Sequence, residues 1–358
     1  MTSPIEDARV TRELERDPSM VDRHVLSRLV QLASEASEAG RPDLANGLTV
    51  AAAALKLGKQ DELAALVRGT TGKATAAVPL FYLTDGLQTR YETLRKNAGA
   101  VGVPTGFSKF DRDTGGLHPG TMTVLAGETG LGKTTVAVNI LVEAALRKHG
   151  VLLFTLEMDG HEIVDLIASR QCAVNRNQFN HGRFGEDDWQ RLMAGIPGFE
   201  GLPVWIQDKP GTTLKEMSEQ VLALADEGHI KLVVVDYAQL VTPDNLFEPR
   251  EAQVAKIARG LRSLAKESKL PFLVLSQLND DGKLRESRVL AHEAHTVLTV
   301  EYTGDKPEDG VTLHVKKGRR IARGSYELDF VPAHCRVGDK ATETNPKWKS
   351  NPEQGEFQ

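Results

Sequence analysis

Residues 121–148 read TMTVLAGETGLGKTTVAVNILVEAALRK, and the fold follows from how this stretch changes texture. TMTVLAG is short, apolar and β-branched, the pattern of a strand buried on both faces. GETGLGKT, residues 127–134, matches the spacing G-x-x-x-x-G-K-[ST]. TTVAVNILVEAALRK then carries apolar residues at helical spacing. A strand, a glycine-rich turn and a helix in this order make a phosphate-binding loop. Glycines let consecutive backbone N–H groups wrap a phosphate, and the helix N-terminus adds partial positive charge. The cradle is expected to run over Gly127, Glu128, Thr129, Gly130, Leu131, Gly132, Lys133, Thr134 and Thr135. Lys133 would reach the β and γ phosphates of ATP, and Thr134 would give its hydroxyl to Mg²⁺. The rival reading, a chance glycine-rich turn, does not account for the correct flanking strand and helix.

Working outward, from about residue 104 β-branched runs alternate with helical stretches, the signature of a parallel sheet covered by helices. The predicted strands are TMTVLAG, VLLFTLEM, PVWIQD, KLVVVDY and PFLVLSQL. HTVLTVEY, VTLHVKK and SYELDFV follow without evident helices between them, which predicts an antiparallel finish to the sheet. The fold class is therefore α/β, a P-loop domain with a mostly parallel central sheet flanked by helices. Thr213 and Glu216 form a capping box before KEMSEQVLALADE. Residues 1–70 read as a small all-helical unit, 71–103 as a linker with a helix at about 81–97, 104–337 as the motor domain, and 338–358 as a disordered tail.

Three strand ends carry polar groups at the edge where ligands bind in such sheets. Asp236 ends KLVVVDY and is expected to hold Mg²⁺, although such an Asp can also cap a loop. Glu157 ends VLLFTLEM and is the candidate to deprotonate an attacking water; a solvated loop carboxylate is the alternative. Gln277 ends PFLVLSQL, where its amide can bond a γ-phosphate. The loop NDDGKLRESR mixes Lys283, Arg285 and Arg288 with Asp280, Asp281 and Glu286, either a solvated loop or a nucleic-acid contact. VKKGRR supplies Lys316, Lys317, Arg319 and Arg320, either a basic turn or cations for a neighbouring subunit's phosphates. Spacing alone does not choose.

Bulk properties narrow the classes. The 358 residues are 40% hydrophobic and 26% charged, with net charge −5, so DNA contact would need a local basic cluster. No run of apolar residues is long enough to span a membrane, and the polar N-terminus lacks a secretory stretch. Cys172 and Cys335 read as two reduced, buried thiols, and the cytoplasm is the expected compartment.

Taken in order, TGFSKFDRDTGGLHPG, GETGLGKT, LFTLEM, LVVVDYAQL, VLSQLN, LRES and KKGRR resemble the motor domain of DnaB-type replicative DNA helicases over about residues 104–333. That resemblance implies a RecA-like ATPase working as a homo-hexameric ring that moves 5′ to 3′ on single-stranded DNA. It implies that Lys133 and Thr134 bind nucleotide and metal, Asp236 holds the metal, Glu157 is the catalytic base and Gln277 senses the γ-phosphate. Lys317 and Arg319 match the family's K-x-R, in which the arginine reaches the adjacent subunit's nucleotide. Arg285, Glu286 and Ser287 match LRES, which with Lys283 would hold the DNA backbone. A helicase loader and a primase are the implied further partners. Glu128, Thr129 and Leu131 depart from the family's usual loop residues, and Asp280 with Asp281 stand where arginine is common. Two other readings stand beside this one: a RecA-like recombination ATPase forming filaments on DNA, and a DNA-independent P-loop adaptor.

Overall fold

The chain divides into two compact units, Met1–Thr89 and Arg90–Gln358. The computed structural model describes residues 102–277, 285–319 and 321–340, with Glu92, all within the second unit. The expected helices of residues 1–70 and the 341–358 tail lie outside the described residues, as does the 81–97 linker helix apart from Glu92.

Nine strands form one sheet in the order β3-β2-β4-β5-β1-β6-β7-β8-β9. They are β1 (Met122–Gly127), β2 (Val151–Thr155), β3 (Val204–Gln207), β4 (Leu232–Asp236), β5 (Phe272–Gln277), β6 (Thr296–Tyr302), β7 (Val311–Gly318), β8 (Ser325–Val331) and β9 (Arg336–Asp339). The helices are α1 (Ser108–Thr114), α2 (Lys133–Leu146), α3 (Gly160–Cys172), α4 (Arg176–His181), α5 (Glu186–Glu200), α6 (Leu214–Asp226), α7 (Arg250–Ser268) and α8 (Arg285–Glu293).

The central strands are buried almost throughout and mostly apolar, because helices cover both faces, with polar residues gathered toward their ends. Leu232 and Val234 of β4 join one core with Ile140 and Leu141 of α2. Val233 and Val235 face the other way, into a core with Val254, Ile257 and Leu261 of α7. Those α7 residues recur at helical spacing, so one stripe of the helix is buried. The capping box of α6 is present as read, Thr213 and Glu216 each satisfying the other's backbone N–H.

The antiparallel finish is present as read, β6 pairing antiparallel with β7 and β7 with β8. What the sequence did not show is that the other side of β6 pairs parallel with β1, Thr123 opposite Thr296 and Ala126 opposite Thr299. The crossover that permits this is α8, where the sequence showed only a mixed-charge loop. The antiparallel pairs are β6 with β7, β7 with β8 and β8 with β9. The sheet also continues past residue 337, since β9 ends at Asp339. The Asp339 carboxylate accepts the Ser108 N–H at 3.0 Å, tying the last strand to the first turn of α1. The lead-in Thr105-Gly106-Phe107 gains its own physical account: Asp111 accepts the N–H groups of Thr105 and Gly106 and the Thr105 hydroxyl.

One buried side chain fastens this C-terminal strand to the phosphate-loop helix. Asn139 of α2 is fully buried and uses its whole amide. Its Nδ2 donates to the carbonyls of Thr135 and Cys335, both at 2.8 Å. Its Oδ1 accepts from Arg170 Nε at 2.7 Å and from the Val337 N–H at 3.1 Å. Cys172 and Cys335 are free thiols, both buried. Among the described residues no helix is long and apolar enough to cross a membrane. Asn139→Ala would remove a partner of the Cys335 carbonyl and of the Val337 N–H, and the Nε bond of an Arg170 guanidinium that Glu143 and Gln171 also hold. We expect it to lower unfolding free energy by about 2–5 kcal/mol, measured by denaturant titration; a loss below about 1 kcal/mol contradicts this account.

Candidate active site

Strand register assembles the site. β1 and β5 are parallel with Gly127 opposite Gln277, and β2 and β4 are parallel with Thr155 opposite Asp236. Four segments far apart in sequence therefore end at one edge, the carboxyl edge of the sheet. The strand carrying Asp236 is separated from β1 by β5.

The loop from Gly127 to Gly132 leads from β1 into α2, whose first residue is Lys133. Gly130 (φ +83°) and Gly132 (φ +79°) adopt the left-handed conformation that only glycine takes without strain. A Cβ on Gly130 would meet no atom within 4 Å, so the loop opens onto clear space there. Lys133 Nζ lies 2.7 Å from the Glu128 carbonyl, which holds the ammonium over the loop. Burial pushes the Lys133 pKa below its ordinary value, and the carboxylates of Asp236, Glu157 and Glu128 oppose that shift. Thr129 and Leu131 complete the loop, and Thr135 is buried one turn into the helix.

Thr134 Oγ donates to Asp236 Oδ2 at 2.7 Å, joining the loop to the end of β4. Asp236 is only 4% exposed. Burial pushes its carboxyl up to about 6, with the nearby Glu157 charge adding to the rise and the Thr134 hydroxyl and Lys133 ammonium opposing it. Glu157 is not within a strand: β2 stops at Thr155, and Glu157 sits exposed two residues beyond. Its charge still acts on both Lys133 and Asp236, so the three groups share one neighbourhood. Gln277 Nε2 donates to Thr129 Oγ at 2.6 Å, bringing the end of β5 onto the loop itself. A glycine cradle, a lysine ammonium, and a hydroxyl paired with a buried carboxylate fit a nucleoside triphosphate with Mg²⁺.

Tyr302 and Phe330 escaped the sequence reading. The Tyr302 hydroxyl donates to the Gly130 carbonyl at 3.0 Å, and its ring stacks on Phe330 with centroids 6.5 Å apart. The Phe330 ring would lie 3.5 Å from a Cβ on Gly132, so this pair walls the loop from the β6–β8 side. No local motif signals either residue, because β6 and β8 approach the loop only through register.

The remaining predicted residues lie elsewhere. Lys283 falls outside the described residues. Arg285, Glu286 and Ser287 form the first turn of α8, not a loop. Lys317 Nζ donates to the carbonyls of Ala291 and His292 at 2.8 and 2.9 Å, capping the last turn of α8. Arg319 follows β7, exposed, with its N–H on the His295 carbonyl at 3.0 Å. Because Gly318 pairs with Thr296 at the start of β6, Arg319 emerges at the amino edge of the sheet. The length of β6 then separates it from its own phosphate loop by roughly 20 Å, beyond the reach of an arginine side chain.

This sheet and this edge define a P-loop nucleotide-binding domain of the RecA-like class. The family model for the DnaB-like helicase C-terminal domain matches residues 102–339, and the chain belongs to that family. The replicative DNA helicase DnaB of Leifsonia xyli subsp. xyli is 32% identical over 264 residues, 69% of this chain and 58% of that protein. The DnaB helicase of Buchnera aphidicola subsp. Baizongia pistaciae is 32% identical over 216 residues, 56% of this chain and 47% of that protein. The chain thus spans about half the length of the curated relatives it matches. The ATPase domain of G40P superposes with a TM-score of 0.66 at 23% identity, covering 72% of this chain and 99% of that one. A DnaB-like replicative helicase, solved in a study of its interactions with primase, gives 0.65 at 20% identity, covering 90% and 78%. At these identities the two structures show the shared fold.

The raised Asp236 carboxyl sets a pH dependence. Between the ordinary carboxylate value and about 6, the folded chain keeps a proton that the unfolded chain releases. The free protein therefore gains stability as pH falls through that window. Metal binding runs the other way, because it requires the carboxylate. Affinity for Mg²⁺–nucleotide should weaken as pH falls below about 6, by up to about tenfold per unit, and Asp236→Asn should remove this dependence. Asp236→Asn should also stabilise the nucleotide-free protein at mildly alkaline pH by roughly 1–3 kcal/mol. Nucleotide titrations across pH check the first point and denaturant titrations the second; a wild-type affinity flat across the window contradicts both.

Proposed function

We propose that this chain is the ATP-driven motor of a replicative DNA helicase, working as a hexameric ring on single-stranded DNA and travelling 5′ to 3′. The observation that carries this reading is the meeting of Lys133, Thr134, Asp236, Glu157 and Gln277 at one sheet edge, within a DnaB-like family domain.

The residues divide the work of hydrolysis. Backbone N–H groups of Gly127–Thr135 and the Lys133 ammonium bind the phosphates and spread their charge. The Thr134 hydroxyl and the Asp236 carboxylate would hold Mg²⁺, which supplies charge neutralisation at the β and γ oxygens. Glu157, exposed beside them, takes a proton from the attacking water as its oxygen bonds the γ-phosphorus and the bond to the ADP oxygen breaks. Gln277 reaches the γ-phosphate and, through Thr129, the loop that holds it. Arg319 lies at the opposite edge of its own sheet, so the nucleotide it serves belongs to an adjacent subunit. That makes hydrolysis depend on assembly.

On the DNA side, Arg285, Glu286, Ser287 and Lys283 hold the phosphate backbone within a central channel. Repetition around a ring makes one or two basic residues per subunit sufficient, despite the net charge of −5. Lys317 acts by holding α8 in place, since its ammonium caps that helix. A helicase loader and a primase are the proposed partners, the latter following the primase interactions of a similar structure.

Steady-state ATPase assays test this reading across a dilution series, with and without single-stranded DNA. DNA should raise the rate at least about tenfold, Lys133→Ala should abolish it, and Arg319→Ala should lower it at least about a hundredfold. Mixing the two variants should restore part of the activity, because each supplies the group the other lacks. Hydrolysis indifferent to DNA and to concentration would sink the motor and favour a nucleotide-switched adaptor.

A further inference from the structure

Gln239 lies just beyond β4 and is 7% exposed. Its Nε2 donates to Ser276 Oγ at 3.1 Å and to the Gln277 carbonyl at 3.4 Å. Its own backbone carbonyl accepts from the Arg250 guanidinium. Arg250 also donates to Gln253 Oε1 at 3.4 Å. Gln253, itself 7% exposed, sends its Nε2 to the carbonyls of Asn245, Leu246 and Glu248 at 3.3, 3.3 and 2.8 Å. With Gln277 on Thr129, these bonds form one continuous path from the phosphate loop to the turn 245–248.

That turn is shaped and displayed. Asn245 Oδ1 accepts the Phe247 N–H at 3.0 Å, and Gln253 pins the carbonyls from below. The side chains it presents are apolar and unpacked: Leu246 is 74% exposed and Phe247 is 99% exposed. The path also has one unfinished joint. Gln239 Oε1 is buried without a hydrogen-bond partner, an arrangement that native interiors seldom keep. A second arrangement of the Gln239 amide that satisfies Oε1 would have to alter its bond to Gln277, to Ser276, or to both.

We propose that Gln239 is a positioning residue that relays the state of the nucleotide site, through Gln277, to the exposed Leu246–Phe247 turn. A γ-phosphate drawing on the Gln277 amide competes with Thr129 and shifts the end of β5. The Gln239 amide follows the Gln277 carbonyl, and Arg250 carries the movement to Gln253 and the turn. The inference rests on the nucleotide-site part of the proposed function and does not require that the chain unwind DNA.

The test uses the full chain with Phe247→Trp as a reporter, read as the difference from the unsubstituted chain with its own Trp189, Trp205 and Trp348. Affinity for ATPγS is measured separately, by displacement of a fluorescent ADP analogue. With Mg²⁺ present, ATPγS should shift the reporter's emission where ADP does not. Gln239→Met keeps side-chain volume and loses the amide; it should cut the shift roughly fivefold while ATPγS affinity stays within about threefold. Arg250→Met, at an exposed helix start, should do the same and covers the case of a misfolded Gln239 variant. A full shift in either folded variant overturns the relay. So does a reporter chain that binds ATPγS with no shift. A chain that binds no nucleotide overturns the site reading and the relay together. A shift that behaves as expected without DNA-stimulated hydrolysis supports the relay and sinks only the helicase.

Discussion

Parallel pairing of β1, β5, β4 and β2 is the constraint on which everything else depends. Parallel strands cannot be joined by tight turns, so each must be followed by a helix that returns the chain to the opposite edge. Every strand therefore finishes at the same edge, and the residue just past each end is free to be polar. The part-buried bond from Thr134 to Asp236 closes this arrangement, joining the start of α2 to the end of β4. Desolvation raises the Asp236 carboxyl and lowers the Lys133 ammonium, so both are held where a metal and a phosphate regain for them what burial removed.

The outer half of the sheet has a different logic. β6 repeats the parallel direction of β1 and brings Tyr302 onto the phosphate loop. β7 then turns back and delivers Arg319 to the far edge. The nucleotide loop and Arg319 thus leave opposite edges of one sheet, which is the placement that the proposed sharing of sites between copies requires. Lys317 sits between these tasks: it precedes Arg319 by two residues and caps α8, whose first turn holds Arg285, Glu286 and Ser287. The same β7 end thus supports both Arg319 and the helix proposed to meet DNA.

Much of the inner sheet was legible in the sequence, for a physical reason. Strands buried on both faces read as unbroken apolar runs, as in KLVVVD and PFLVLS, and the phosphate loop tolerates few alternatives at its glycines and lysine. α8 was not legible, because RESRVLAHE offers only the short apolar run Val289-Leu290-Ala291 to the core within a strongly charged segment. Missing that helix also hid the parallel pairing of β6 with β1, since a parallel partner requires a crossover. Lys317 read as a cation free to act on phosphate, and only the structure shows its ammonium on the Ala291 and His292 carbonyls. Tyr302 left no local signal, and Gln239 was visible only as part of LVVVDYAQL, because their partners come from strands distant in sequence.

The central claim is that this sheet edge hydrolyses ATP with Glu157 as the proton acceptor. Single-turnover cleavage of γ-labelled ATP by Glu157→Gln, in the presence of Mg²⁺ and single-stranded DNA, tests it most directly. Binding should stay close to that of the unsubstituted chain while cleavage slows by about a hundredfold or more, the usual contribution of a positioned base. Cleavage at the unsubstituted rate would contradict the account and move the base to another residue of the same edge.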